Sequence, residues 1–137
     1  MNKLEEPDML ANKVEIEAVT TYLAGHSRPE DDQYTFAYTI TISNHSDQNV
    51  QLLSRHWIIT DAENHVQEVR GDGVVGEQPI IEPGAYFRYT SGATLNTPVG
   101  RMEGTYFMIA PDDQEDDARN FEVAIPAFSL HTPTALH

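Results

Sequence analysis

Between Gln33 and Asn44 the chain alternates without a break. Tyr34, Phe36, Tyr38, Ile40 and Ile42 fall on one side, and Thr35, Ala37, Thr39 and Thr41 on the other. A period of two sends successive side chains to opposite faces of an extended backbone. Aromatic and β-branched residues also suit a pleated, half-buried surface. The segment therefore reads as a strand whose aromatic face needs a second layer to cover it.

The rest of the chain repeats the pattern in shorter pieces. Lys13–Tyr22 places Val14, Ile16, Ala18, Thr20 and Tyr22 on one face, with Glu15 and Glu17 opposite. Asn49–Thr60 is a strand whose parity slips at the doublets Leu52-Leu53 and Ile58-Ile59, which a bulge or partial burial of both faces explains. His65–Arg70, Ile80-Ile81, Ala85–Thr90, Arg101–Ala110 and Asn120–Ile125 follow as further strands, with Met102, Tyr106 and Met108 inward. Pro126 is expected to stop the last ladder, leaving Phe128 and Leu130 as a separate extended piece. Turn residues separate these segments, and no crossover helix fits between them, so the strands pair antiparallel. About seven or eight such strands predict an all-β fold, an immunoglobulin-like or fibronectin type III-like antiparallel β-sandwich with Trp57 buried. A small barrel is the alternative. Residues 1–12 read as a flexible N-terminus, and 13–137 as a single domain.

Charge narrows the partners. The 22 Asp and Glu against 8 Lys and Arg give a formal net charge of −14 over 137 residues. Such a surface repels phosphate backbones, so no nucleic-acid partner is expected. The absence of Cys removes disulfides, thiolate metal sites and thiol catalysis. No leader-like N-terminus and no run approaching the ~20 apolar residues of a membrane helix is present. A cytoplasmic protein without membrane insertion is the expectation.

Few motifs carry chemistry. Gly71-Asp72-Gly73-Val74-Val75-Gly76 spells G-x-G-x-x-G, a spacing that cradles pyrophosphate when a helix follows a strand. Here Pro79 and Pro83-Gly84 forbid the helix, Asp72 and Glu77 oppose an anion, and Arg70 is the nearby cation. Glycines serving turns are the alternative reading. The six histidines are scattered; His56 and His65 meet only if the turn between them closes a hairpin, and no metal site or cofactor is expected. Asp112, Asp113, Glu115, Asp116 and Asp117 form an acidic tip suited to weak divalent-cation association. No nucleophile–base–acid arrangement is readable, so no enzyme is expected.

Long stretches resemble the bacterial ApaG family, also called CorD. They include Phe36–Ile42, Gln51–Asp61, Glu68–Pro79, Tyr89–Gly92 and Phe121–Leu130, so the likeness spans most of the chain from about Val14. The resemblance implies a fibronectin-type sandwich and an interaction module, since related domains occur in eukaryotic F-box and polymerase-delta-interacting proteins. It also implies an association with cobalt resistance and magnesium efflux. The G-x-G-x-x-G is a hallmark of the family. It makes Arg70, Gly71, Gly73 and Gly76 a candidate anion-binding loop, with nucleotides or dinucleoside polyphosphates as the alternative ligand. The leading expectation is a non-catalytic module binding an unidentified protein through a surface that includes the Arg55-His56-Trp57 strand and the Gly71–Pro79 loop.

Overall fold

A computed structural model describes residues 10–112 and 119–134. Among them lie eight strands: β1 (Val14–Tyr22), β2 (Tyr34–Asn44), β3 (Val50–Asp61), β4 (Val66–Asp72), β5 (Ile80–Ile81), β6 (Tyr86–Leu95), β7 (Val99–Ala110) and β8 (Arg119–His131). Two antiparallel sheets form, one ordered β1-β2-β6 and the other β4-β3-β7-β8, with β5 added to the start of β3. The expected sandwich is what the chain adopts.

The alternation of β2 does what the sequence demands. Phe36, Tyr38, Ile40 and Ile42 are buried, facing Trp57, Ile59, Met102, Tyr106 and Met108 of the other sheet. Trp57 is the centrepiece. Its ring meets Tyr38 at 5.4 Å, Phe128 at 5.9 Å and Tyr106 at 6.2 Å, each steeply inclined to it, the edge-to-face geometry aromatic quadrupoles favour. On β7 the residue paired with Trp57 is Gly104. A Cβ there would collide with the His56 carbonyl oxygen, so only glycine lets β7 approach β3 so closely.

Two bulges set which residues face inward. The β3–β7 register shifts between Leu52 and Ser54, so Val50 and Leu52 are buried before it and Trp57 and Ile59 after it. The doublet Leu52-Leu53 is where parity changes. The β7–β8 register shifts between Met102 and Gly104, whose partners are Phe128 and Ile125. Pro126 and Ala127 there stand opposite Glu103 alone, one residue more than β7 supplies. The ladder therefore continues to His131 instead of stopping at Pro126, because a bulge tolerates a proline's missing N–H. Strand β6 likewise runs five residues past Thr90, through a stretch of small and hydroxylic residues that reads as loop. Thr35–Thr94 and Thr39–Thr90 hydroxyl pairs hold β6 to β2.

One flank of the sandwich is closed and the other open. β1 and β8 approach each other, with the Thr20 hydroxyl donating to the Ser129 carbonyl at 3.4 Å. On the opposite flank β4 and β6 are edge strands not hydrogen-bonded to each other.

Removing the central ring should be costly. Trp57→Ala is expected to lower unfolding free energy by about 3–5 kcal/mol through lost transfer energy and the cavity left behind. Gly104→Ala should cost about 1–3 kcal/mol by forcing β7 from β3. Urea denaturation followed by far-UV circular dichroism measures both.

Candidate functional site

The open flank holds a concavity. Past its bulge, β3 turns Arg55, Trp57 and Ile59 toward the other sheet, where β4 pairs Gly71, Val69 and Gln67 beside them. Tyr38 of β2 and Tyr89, Ser91 and Ala93 of β6 face them, enclosing a cleft of about 540 Å³. The Trp57 indole N–H is buried and has no hydrogen-bond acceptor among the described residues. An orphaned donor of that kind forgoes roughly 1–3 kcal/mol. At the deep side the Tyr89 and Tyr106 hydroxyls bond to each other across the sheets. Burial holds both phenols far above their ordinary pKa, so they stay neutral.

The glycine segment forms the lip of this cleft. Gly73 N–H donates to the Leu53 carbonyl at 2.8 Å, and Val74 and Glu77 exchange two backbone hydrogen bonds of 2.8 and 2.9 Å. Val75 (φ +44°) and Gly76 (φ +81°) sit at the turn between them, both left-handed, as a tight two-residue hairpin turn requires. A Cβ on Gly73 would collide with the Glu77 carbonyl oxygen. The Arg55 guanidinium lies over Gly71, 2.8 Å from where a Cβ would stand, and donates to the carbonyls of Gly73 (2.7 Å) and Asp72 (3.2 Å). Each glycine of the motif thus has a stereochemical reason, and three of the segment's amides are spent on the fold.

The candidate residues are distributed differently from their order in sequence. Arg55 points into the sandwich, whereas His56 lies on the outer face with its ring nitrogen 2.8 Å from Glu68. Arg70 is also on the outer face, 3.7 Å from Glu68, so Arg55 is the cation at the glycine segment. The turn after β3 does close a hairpin, but His56 pairs with Arg70 in midstrand while His65 stands at the turn. There His65 meets Asp61 at 3.3 Å and Glu63 at 3.9 Å. Their ligand-type atoms lie within 4.8 Å of one another. Asp61 Oδ1 accepts the backbone N–H groups of Glu63 and His65 at 2.8 and 2.9 Å. The His65 amide, ahead of that of Glu63, holds the Asp61 carboxyl below its ordinary pKa against the opposing effect of burial. This is an Asp-closed turn. Of the acidic tip, Asp112 accepts from Asn49 at 2.6 Å; Asp113 to Asp117 lie outside the described residues.

Sequence reasoning missed Val69 as a cleft residue. The signal was present, since carrying the Leu53 parity change forward puts Arg55 and Trp57 on one face with their β4 partners.

Fold and site together define an antiparallel β-sandwich with an open-edged cleft lipped by a glycine turn. The family profile described as ApaG domain matches residues 24–110. Protein ApaG of Acidithiobacillus ferrooxidans is 52% identical over 130 residues, covering 95% of this chain and 98% of that one. Protein ApaG of Ralstonia nicotianae is 54% identical over 122 residues, covering 89% and 94%. A crystal structure of a putative ApaA protein from Bordetella pertussis superposes with a TM-score of 0.82 at 45% identity, covering 89% of this chain and 95% of that one. The chain belongs to the ApaG family.

The glycine turn makes ordered predictions. Gly73→Ala should destabilise more than Gly76→Ala, because both are left-handed at about 1–2 kcal/mol but only Gly73 also meets a carbonyl. Val75→Asn should stabilise by about 1 kcal/mol, since asparagine tolerates the left-handed region better than a β-branched residue. Urea midpoints rank all three. At the β3–β4 turn, the depressed Asp61 pKa gives stability that is fully present above the ordinary aspartate value of about 3.9 and is lost as pH falls below it. The protection of the Glu63 and His65 amides, relative to their intrinsic exchange rates, should fall in that acid window, and Asp61→Ala should abolish that pH dependence.

Proposed function

We propose that this chain is a non-catalytic binding module that receives a protein partner at the open-edged cleft. The observation that supports this most is the cleft itself, open between the edge strands β4 and β6 and lipped by a turn that holds Val75 in the left-handed region. Val69 and Val75, both exposed, flank the opening as apolar contacts. Sandwiches place binding on edges and end loops.

The association of the family with cobalt resistance and magnesium efflux fits an indirect role through such a partner. No helix among the described residues is long and apolar enough to cross a membrane. The nucleotide alternative gains nothing from the glycine segment. The amides of Gly73, Val74 and Glu77 are already bonded, and Asp72 and Glu77 flank it.

Ser91→Phe tests the reading by filling the cleft from β6. Proteins retained by the immobilised wild type should be lost by this variant, with its far-UV spectrum unchanged. Retention of the same proteins by both would remove the cleft as the binding surface. ATP and diadenosine tetraphosphate should bind no tighter than about millimolar, about −4 kcal/mol, by calorimetric titration.

A further inference from the structure

The free edge of β4 carries information that the cleft does not. Two backbone bonds at the ends of the β3–β4 ladder, Asp61 N–H to the His65 carbonyl and Gly73 N–H to the Leu53 carbonyl, fix which β4 residues bond β3. In an antiparallel ladder bonding residues alternate, and the register between these ends is regular. Gln67, Val69 and Gly71 are accordingly the β4 residues that bond β3. Val66, Glu68 and Arg70 direct their N–H and carbonyl groups away from the sheet, and so does the Asp72 N–H, while the Asp72 carbonyl accepts from Arg55. The edge spans seven residues and contains neither Pro nor a bulge, two of the devices that block strand addition.

The outward residues form a self-complementary pattern. If a second β4 adds antiparallel with Val69 on the two-fold axis, Glu68 of each copy lies opposite Arg70 of the other. Shifting the axis to Glu68 sets Glu68 against Glu68. Shifting it to Arg70 sets Arg70 against Arg70 and Glu68 against Asp72. An axis at Gly71 pairs Arg70 with Asp72, but it runs Glu68 off the strand against Val74, whose backbone is already bonded to Glu77. Opposite charges directly across a strand pair stabilise it and like charges do the reverse. The Val69-centred register alone gains two cross-strand ion pairs over the full length of the strand, and it also places Val69 against Val69 on the inner face.

We propose that two copies of this chain associate through β4, isologously, in the Val69-centred register, joining their larger sheets into one. The proposal rests on the edge and its charges, independently of the cleft's role in binding a partner. The occupant is a second copy because the edge's own charge order, acid and base two residues apart, is the order that reads itself in reverse. The body charge of −14 opposes encounter, but at about 0.15 M salt it is screened beyond about 8 Å while contacts at pairing distance persist.

Two measurements test it. Sedimentation equilibrium should show a concentration-dependent monomer–dimer equilibrium. Glu68→Arg and Arg70→Glu should each weaken it by about tenfold or more, and the double exchange should restore it. Because the chain has no Cys, Val69→Cys offers a clean cross-link. Facing non-bonded residues stand about 4.5 Å apart at Cα, within disulfide reach. Mild oxidation should couple Val69→Cys much faster than the control Val19→Cys, which is exposed on β1 at the other flank. A protein that stays monomeric at millimolar concentration, a dimer indifferent to the charge exchanges, or equal coupling at both cysteines would each overturn the proposal.

Discussion

Everything on the open flank depends on one extra residue in β3. A one-residue change of register sends every later side chain to the other face of the sheet. With Leu53 inserted between paired positions, Arg55, Trp57 and Ile59 turn inward and Ser54, His56 and Ile58 outward. Without it, His56 and Ile58 would enter the core, and Trp57 and Arg55 would stand in solvent. The aromatic cluster, the seat of the guanidinium over Gly71 and the floor of the cleft all follow from that insertion. The second bulge, at Pro126 and Ala127, performs the same operation on β8 and brings Phe128 against the Trp57 ring.

Most of the architecture was legible because period-two patterning is strong where one face is buried. β2 is the clearest case, and the inward residues Met102, Tyr106 and Met108 follow from the same rule. The extension of β6 was not legible, because Ser91, Gly92 and Ala93 have turn-like composition and are held by threonine pairs that exist only once β2 lies alongside. Pro126 misled for a related reason, since its exclusion from ladders assumes an unbroken register. The site was less legible than the fold. Arg70 is nearer the glycines in sequence, yet strand alternation turns it outward and leaves Arg55, fifteen residues earlier, to meet them.

The glycine motif shows how one spelling can serve different physics. In a dinucleotide-binding unit such glycines admit a phosphate and open a helix. Here Gly71 admits a guanidinium, Gly73 admits a carbonyl, and Gly76 completes a left-handed turn with Val75. The spacing is set by the path of the chain as it leaves β4 at Asp72 and rejoins β3 as β5 at Ile80, so the segment is stiffened by its glycines rather than loosened by them.

The bond between the Tyr89 and Tyr106 hydroxyls has a mechanical meaning. Sheets in a sandwich touch mainly through apolar side chains, whose attraction is non-directional and tolerates sliding of one layer over the other. A directional bond between buried polar tips, one from each sheet, does not tolerate it, because displacement by a single pleat would strand two hydroxyls in an apolar interior. The pair acts as an index pin between the layers. It ties β6 to β7 beside the open flank, so that the alignment of one sheet over the other is set next to the gap between β4 and β6.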